Sequence, residues 1–266
     1  MKFLVTFALA NEFAPWRAAL KFEEVKDYVP GSVFRADVHG AEVTVLLTGV
    51  GAKRAGRAVA RLLRDGERYD ALVSSGLAGG LRPGMEVGQV VAARGATCEP
   101  LNPEARGGYI ECSRPLVEFA EECAATLVER FYTAGHVVAS AEEKHQLGQS
   151  ADAVEMESFD ILLTAKGEGI PGIGIRAISD RSEEDLPLDM GGILNEEGHV
   201  SIARVLGQAV LHPQALPGLM KLGQQSKRAA EELADFLGRY IGHIAERMSV
   251  LEARGAAAAR GSAIVQ

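Results

Sequence analysis

Ala153-Val154-Glu155-Met156-Glu157-Ser158 and Arg176-Ala177-Ile178-Ser179-Asp180 are two short acidic runs. Each sets carboxylates at the end of an apolar stretch, where a strand delivers them to the edge of a sheet. Between them, residues 159–168 read as a helix, and Pro171 with its neighbouring glycines reads as a turn into the next strand. A strand–helix–strand unit of this kind predicts two parallel strands whose ends open on one crevice, where open α/β sheets bind ligands. Three carboxylates, a serine and an arginine would then face one another, an acid–base site in outline.

Outward from these runs, valine- and isoleucine-rich stretches alternate with amphipathic ones. That pattern predicts an α/β fold of three layers, a mixed, largely parallel central sheet flanked by helices. Strands are expected at 3–8, 33–39, 42–47, 71–75, 87–94, 134–139, 153–156 and 172–178. Helices are expected at 12–20, 52–64, 115–130, 141–148, 158–168, 200–211 and 216–247. The pair around Gly40 reads as a hairpin, so some antiparallel pairing is expected. No composition break divides the chain, which predicts a single domain over 1–250. The polar stretch 181–198 is long for a loop and reads as a lid or a disordered segment. The alanine-rich, low-complexity run over 251–266 predicts a frayed tail.

The formal charge of −8 argues against nucleic acid as a partner, because phosphate binding needs a basic surface. The basic residues Lys53, Arg54, Arg57, Arg61 and Arg64 are spread around one helix and read mainly as its solvated face. Cys98, Cys112 and Cys123 are odd in number and lack metal-ligand spacing, which fits a reducing cytoplasm. The six histidines include no metal-binding pair, so neither metal nor cofactor is expected. His145 reads as a surface residue. The first ten residues, Met1 to Ala10, resemble a minimal signal peptide, but one lysine and a short apolar run make a buried first strand the better reading. No run is long enough to cross a membrane.

Two glycine-rich turns could hold a ligand. Thr48-Gly49-Val50-Gly51-Ala52-Lys53-Arg54 follows a strand and opens a helix, but Arg54 stands where a dinucleotide fingerprint needs its third glycine. A dehydrogenase therefore has little support. Lys53 and Arg54 remain candidates for holding an anion at the helix start, against the plainer reading of a tight turn. In Ser75-Gly76-Leu77-Ala78-Gly79-Gly80-Leu81, the near absence of side chains lets a flat ligand approach the backbone.

Taken together, the run Ser75 to Leu81, Val87-Gly88-Gln89-Val90-Val91, Val154-Glu155-Met156-Glu157-Ser158 and Arg176-Ala177-Ile178-Ser179-Asp180 resemble the nucleoside phosphorylase and nucleosidase superfamily in order and spacing. The likeness covers roughly residues 2 to 180. The N-terminus is similar to nucleosidases acting on methylthioadenosine and S-adenosylhomocysteine, and Glu12 falls where they place the glutamate that activates water. The Gly-Asp-Pro-x-Arg phosphate loop of the phosphorylases is missing. The stretch Ser140-Ala141-Glu142-Glu143-Lys144-His145-Gln146-Leu147 lacks the nucleosidases' aromatic–aliphatic pair around adenine. It resembles the hopanoid-associated branch instead, as do Leu186-Pro187 and the segment from His212-Pro213 to Leu222.

The resemblance implies release of adenine from a 5′-substituted adenosine, in that branch adenosylhopane, by a homodimer or larger homo-oligomer. It assigns protonation of the base to Asp180, with Ser179 beside it. Burial and the nearby Glu155, Glu157 and Glu12 are expected to raise Asp180's affinity for a proton. Glu157, with Glu155, is expected to bind the ribose hydroxyls and steady a developing cation. Met156 would pack under the sugar, and Gly76, Leu77, Ala78 and Gly79 would line the base. Arg176 would orient the carboxylates and the water. Leu186, Leu188, Met190, Ile193 and Leu194 would line a pocket for an apolar 5′ group or else cover the core. A water nucleophile tolerates Glu12, whereas a phosphate dianion there would be repelled, so hydrolysis is favoured over phosphorolysis. A nucleoside-binding protein without catalysis is the alternative from another class.

Overall fold

Lys2–Phe7 forms strand β1, and five successive residues from Phe3 to Phe7 are buried on both faces. Only a strand inside a sheet covered on both sides does this; the N-terminal run is therefore core. The computed structural model describes residues 1–29, 31–98, 108–187 and 216–263, with side chains to 250. After β1 come α1 (Ala10–Ala19), β2 (Glu23–Glu24), β3 (Val33–Val38), β4 (Ala41–Leu47), α2 (Ala52–Leu63), β5 (Ala71–Ser74), β6 (Leu77–Gly80), β7 (Val90–Ala93), β8 (Gly95–Cys98) and β9 (Tyr109–Glu111). The chain continues through α3 (Arg114–Glu122), β10 (Thr126–Val128), β11 (Phe131–Thr133), α4 (Ala141–Leu147), β12 (Ala153–Glu155), α5 (Ser158–Gly167), β13 (Gly172–Asp180) and α6 (Leu216–Ala263).

The strands make one mixed sheet in the order β2-β3-β4-β1-β5-β13-β6-β12-β11-β8-β9, with β7 joining β10 to β13. Pairing is parallel at β1–β4, β1–β5, β5–β13, β6–β13, β7–β10, β8–β11 and β11–β12. The architecture is the α/β one expected. β3 and β4 form the hairpin around Gly40, whose turn residues His39 and Gly40 have φ of 52° and 84°. Positive φ at both turn positions matches the twist of a two-residue hairpin.

Several expectations change. β12 pairs antiparallel with β6, whereas β13 pairs parallel with it, so the strands carrying the two acidic runs point in opposite directions. The runs still meet, because Gly79 of β6 is opposite Val154 on one side and Asp180 on the other. The glycine-rich run is itself a strand rather than a turn. Residues 134–139 are not a strand; pairing with β12 ends at Thr133. The helix expected over 115–130 stops at Glu122, and Ala124, at φ 69°, turns the chain into β10. Where a frayed tail was expected beyond 250, the backbone stays helical to Ala263, as alanine's high helix propensity allows. The helix expected at 200–211 lies outside the described residues.

Helix α6 lays Leu233, Phe236, Leu237, Tyr240 and Ile241 into the same core as Ile173 and Ile175 of β13. The Tyr240 hydroxyl donates to the Leu116 carbonyl at 2.9 Å, tying α6 to α3. Phe7, Phe13, Trp16, Phe22 and Phe34 pack ring against ring with centroids 5.0 to 6.4 Å apart. That cluster fixes α1, and with it Glu12. Leu237→Ala is expected to cost about 2–5 kcal/mol of stability, the usual loss for a fully buried leucine, read as a fall in the urea midpoint.

Candidate active site

A cavity of about 210 Å³ opens where β1, β6, β12 and β13 end, lined by Glu12, Glu155, Met156, Glu157, Ser179 and Asp180 among others. The two acidic runs and Glu12 therefore do share one site. Leu77, Ala78 and Gly79 also line it.

Glu12 stands in the first turn of α1, and its carboxylate bends back to accept from the backbone of Leu9 at 3.0 Å and of Leu77 at 3.3 Å. It is a helix-capping side chain in form, and it reaches the cavity because Gly76 makes room. Gly76 has φ 143°, and a Cβ there would stand 3.3 Å from Glu12 Oε1. Gly76 does not line the cavity; its part is to let the Glu12 carboxylate approach the backbone. Burial raises the Glu12 pKa above its ordinary value, opposed by the Leu9 amide and the Arg176 charge.

Glu155 is occupied by the protein itself. Its Oε2 accepts from Arg176 Nη2 at 2.7 Å and from the amides of Glu157 and Ser158 at 2.9 and 2.7 Å, while Oε1 accepts from Thr133 Oγ1. With these acceptors engaged, Glu155 caps α5 and pairs Arg176 rather than presenting free oxygens to a sugar. Arg176 is buried behind it, outside the cavity lining, and also donates to Ser74 O, Ser74 Oγ and Ser158 Oγ at 2.6, 3.2 and 2.9 Å.

Glu157 also lines the cavity and, unlike Glu155, is not paired with Arg176. Its Oε1 accepts from the Gly51 amide at 2.9 Å, which uses the start of α2 as a donor. Burial, then the charges of Glu155 and Glu12, pushes its pKa up to about 8, with Arg176 and Gly51 opposing. Met156 is half-buried beside it. Lys53 and Arg54 are not in the site: Lys53 is exposed, and Arg54 lines a separate cavity on the α2 side.

At the other end, Ser179 Oγ donates to Asp180 Oδ1 at 2.6 Å and Lys144 Nζ to Asp180 Oδ2 at 2.5 Å. The expected surroundings of Asp180 were carboxylates; the charged group bonded to it is instead the ammonium of Lys144, whose side chain is fully buried. Sequence reasoning missed this pairing. The signal for it was weak: a lysine in a short polar helix, 36 residues from its partner, looks solvated.

Also missed were Leu9, Val50 and the His136-Val137-Val138 segment, which line the cavity without any motif. His136 Nε2 bonds Glu143 Oε1 at 2.7 Å. Leu186 lines the cavity as well, whereas Leu188, Met190, Ile193 and Leu194 lie outside the described residues. His145 is exposed. Among the described residues, no group of three His, Cys, Asp or Glu is arranged to hold a metal. No helix among them is long and apolar enough to cross a membrane.

The family model described as "Phosphorylase superfamily" matches residues 2–207. The chain belongs to the phosphorylase superfamily. Futalosine hydrolase of Streptomyces coelicolor is 30% identical over 158 residues, covering 51% of this chain and 66% of that protein, just short of two thirds of its length. Among solved structures, a futalosine hydrolase mutant of Helicobacter pylori strain 26695 superposes with a TM-score of 0.68 at 19% identity, over 91% of this chain and 99% of that one. The 5′-methylthioadenosine/S-adenosylhomocysteine nucleosidase of Neisseria meningitidis, in complex with methylthio-immucillin-A, superposes with a TM-score of 0.70 at 19% identity, over 91% and 99%. At these identities the superpositions bear on the fold, which agrees with the expected one.

The Glu157 shift has a consequence for stability. Its pKa rises from 4.5 to about 8 on folding, so the folded state binds the proton more tightly than the unfolded one. That contribution is complete below the unfolded value and is lost as pH climbs through the folded value. Glu157→Gln should therefore gain Tm relative to the parent as pH rises from about 5 to about 8, and the gain should level off above. Melting curves across that range check it; a difference independent of pH is the contrary result.

Proposed function

We propose that this chain hydrolyses the N-glycosidic bond of a 5′-substituted purine nucleoside and releases adenine. The observation that carries the reading is the charge layout of the cavity. Glu12, Glu157, Ser179 and Asp180 line it, no lysine or arginine is among its lining residues that the structure describes, and the proposal assigns Glu12 and Glu157 to the ribose and Ser179 with Asp180 to the base. Membership of the superfamily and the nucleoside-cleaving relatives support the same chemistry.

Cleavage needs a protonated leaving base, a stabilised ribosyl cation and a nucleophile. Asp180 delivers the proton to the purine at N7. Glu157 accepts the ribose hydroxyls, and a cation forming beside it relieves the penalty that burial imposes on its ionised form. Glu12, in its ionised form, takes the proton of the attacking water. Ser75 Oγ and Arg176 Nε are buried without a protein hydrogen-bond partner. Ser75 adjoins Gly76, which stands against Glu12. Bridging such groups to Glu12 is what a buried water does.

Leu9, Val50 and Leu186 give the cavity wall an apolar stretch suited to an alkylthio or hopanoid 5′ group, adenosylhopane being the substrate implied for the hopanoid-associated branch. Phosphorolysis is disfavoured because no lysine or arginine among the described lining residues is there to hold a phosphate beside Glu12 and Glu157. Three cysteines, none in a disulfide, support a cytoplasmic setting, and a homo-oligomer belongs to the same proposal.

The test is adenine release from adenosine and methylthioadenosine, with and without phosphate. Free ribose product and indifference to phosphate are expected, with methylthioadenosine preferred. Strict phosphate dependence, or tight binding with no release, overturns the reading. Glu12→Gln should lower kcat by a factor of about 10²–10⁴, the usual range for a general base. Because its pKa is raised, the acidic limb of kcat/KM should fall above the ordinary carboxylate value, as that profile reports the free enzyme.

A further inference from the structure

Lys144 is among the largest fully buried side chains of the protein, and all three of its ammonium hydrogens have acceptors. They go to Asp180 Oδ2 at 2.5 Å, Glu184 O at 2.7 Å and Arg181 O at 3.0 Å. An ammonium is costly to bury, and a well-packed apolar side chain would brace a helix as well or better. Its presence calls for work that only a charged, proton-bearing group does.

The surroundings hold it to one carboxylate. Ser140 caps α4 through the Glu143 amide at 3.2 Å, which sets Lys144 one turn into the helix, facing inward. The Ala141 amide donates to Asp185 Oδ1 at 2.7 Å and the Leu186 amide to Ala139 O at 2.8 Å. These bonds clamp the segment after β13 onto the start of α4, and that segment supplies the two carbonyls. On the far side, a Cβ at Gly79 would stand 3.0 Å from Asp180 Oδ2, so that oxygen is boxed between a glycine and the ammonium. Asp180 nonetheless lines the cavity. Lys144 does not line it, and acts on anything bound there through Asp180.

We propose that Lys144 is the positioning residue of Asp180 and the source of its proton, so that the acid is an ammonium–carboxylate pair. This rests on the hydrolytic reading above. The pair starts as –NH₃⁺ and –COO⁻. As the glycosidic C–N bond breaks, its electron pair goes to the base, which takes a proton through Asp180. Asp180 is resupplied from Lys144, leaving –NH₂ and –COO⁻ as the neutral base departs. The ribosyl cation is captured by water, and the water's proton passes to Glu12 and then returns to the amine by way of solvent. The pair thus carries no net charge before the reaction, and the negative charge it holds once the base departs is offset by the ribosyl cation until the amine is reprotonated.

The experiment compares Lys144→Met with the parent on two substrates, methylthioadenosine and 4-nitrophenyl β-D-ribofuranoside, whose nitrophenolate leaves without protonation. Lys144→Met should lose about 100-fold in kcat on the purine nucleoside, within the range of general acid catalysis, with KM changed little. On the nitrophenyl riboside it should keep its kcat within a few-fold. Equal losses on both substrates, or no loss on either, overturn the proposal. If Lys144→Met does not fold, Lys144→Gln, which keeps a donor toward Asp180 but has no transferable proton, is read by the same two ratios. Failure of the parent on both substrates is a separate outcome and counts against the hydrolytic reading itself.

Discussion

The buried pair of Arg176 and Glu155 is the constraint on which the rest of the site depends. One guanidinium gathers groups from three elements: the carbonyl and hydroxyl of Ser74 on β5, Ser158 at the head of α5, and the Glu155 carboxylate on β12. Glu155 in turn receives the first amides of α5. The pair therefore decides where β12 ends and where α5 begins, and Glu157 is suspended between these two points. Removing one partner of such a pair leaves an uncompensated buried charge, which typically costs about 3–5 kcal/mol. The glutamate most exposed by its motif to a catalytic interpretation is in fact the one most fully committed to holding the fold.

That commitment sets the electrostatics of the cavity. Arg176 is spent on Glu155, so its influence on Glu157 and Glu12 is through space and incomplete. Both carboxyls keep a raised pKa, with burial the leading cause. In the proposed reaction, positive charge on the ribose is what repays that penalty, and it appears only as the glycosidic bond breaks. Interactions that strengthen in the transition state raise kcat, whereas those already satisfied in the ground state do not. An arginine placed in the cavity wall would satisfy both glutamates beforehand and give up that difference.

Much of this was legible in the sequence. β1, β4, β5, β13 and helices α1, α2, α4 and α5 follow from apolar runs, caps and glycines, and the joint order of the motifs brought Glu12, Glu157 and Asp180 together. What could not be read was direction and pairing. The acidic runs were expected on parallel strands, but β12 and β13 flank β6 in opposite senses, and a strand's direction leaves no mark on its own residues. Glu155 and Glu157 look alike in sequence because the difference between them lies in which donors reach each one. Arg176 supplies that distinction from 21 residues away in the chain. Lys144 was hidden for a similar reason, since a helix with Glu142, Glu143 and His145 as neighbours looks wholly solvated. Strands β8 to β10 are short and polar enough to merge with the helices and turns around them.

The two ends of the cavity solve different problems with the same residue type. At the end proposed for the base, Asp180 is matched by one ammonium and one hydroxyl, so charge is balanced and the geometry is fixed before anything binds. At the end proposed for the ribose, Glu157 and Glu12 are under-matched, held mainly by backbone amides of Gly51, Leu9 and Leu77. The field along the cavity therefore runs from a neutral pair to an excess of carboxyl groups. In the proposed reaction, a nucleoside lying with its base at Asp180 would have its ribose where positive charge is favoured, and the departing base would be where the proton arrives. Glycines are what make the contrast geometrically feasible. Gly76, just before β6, lets Glu12 close on the backbone at one end, and Gly79, within β6, lets Asp180 do so at the other. A side chain at either position would push one carboxylate out of line while leaving its partner in place, and the separation of roles between the two ends would be lost.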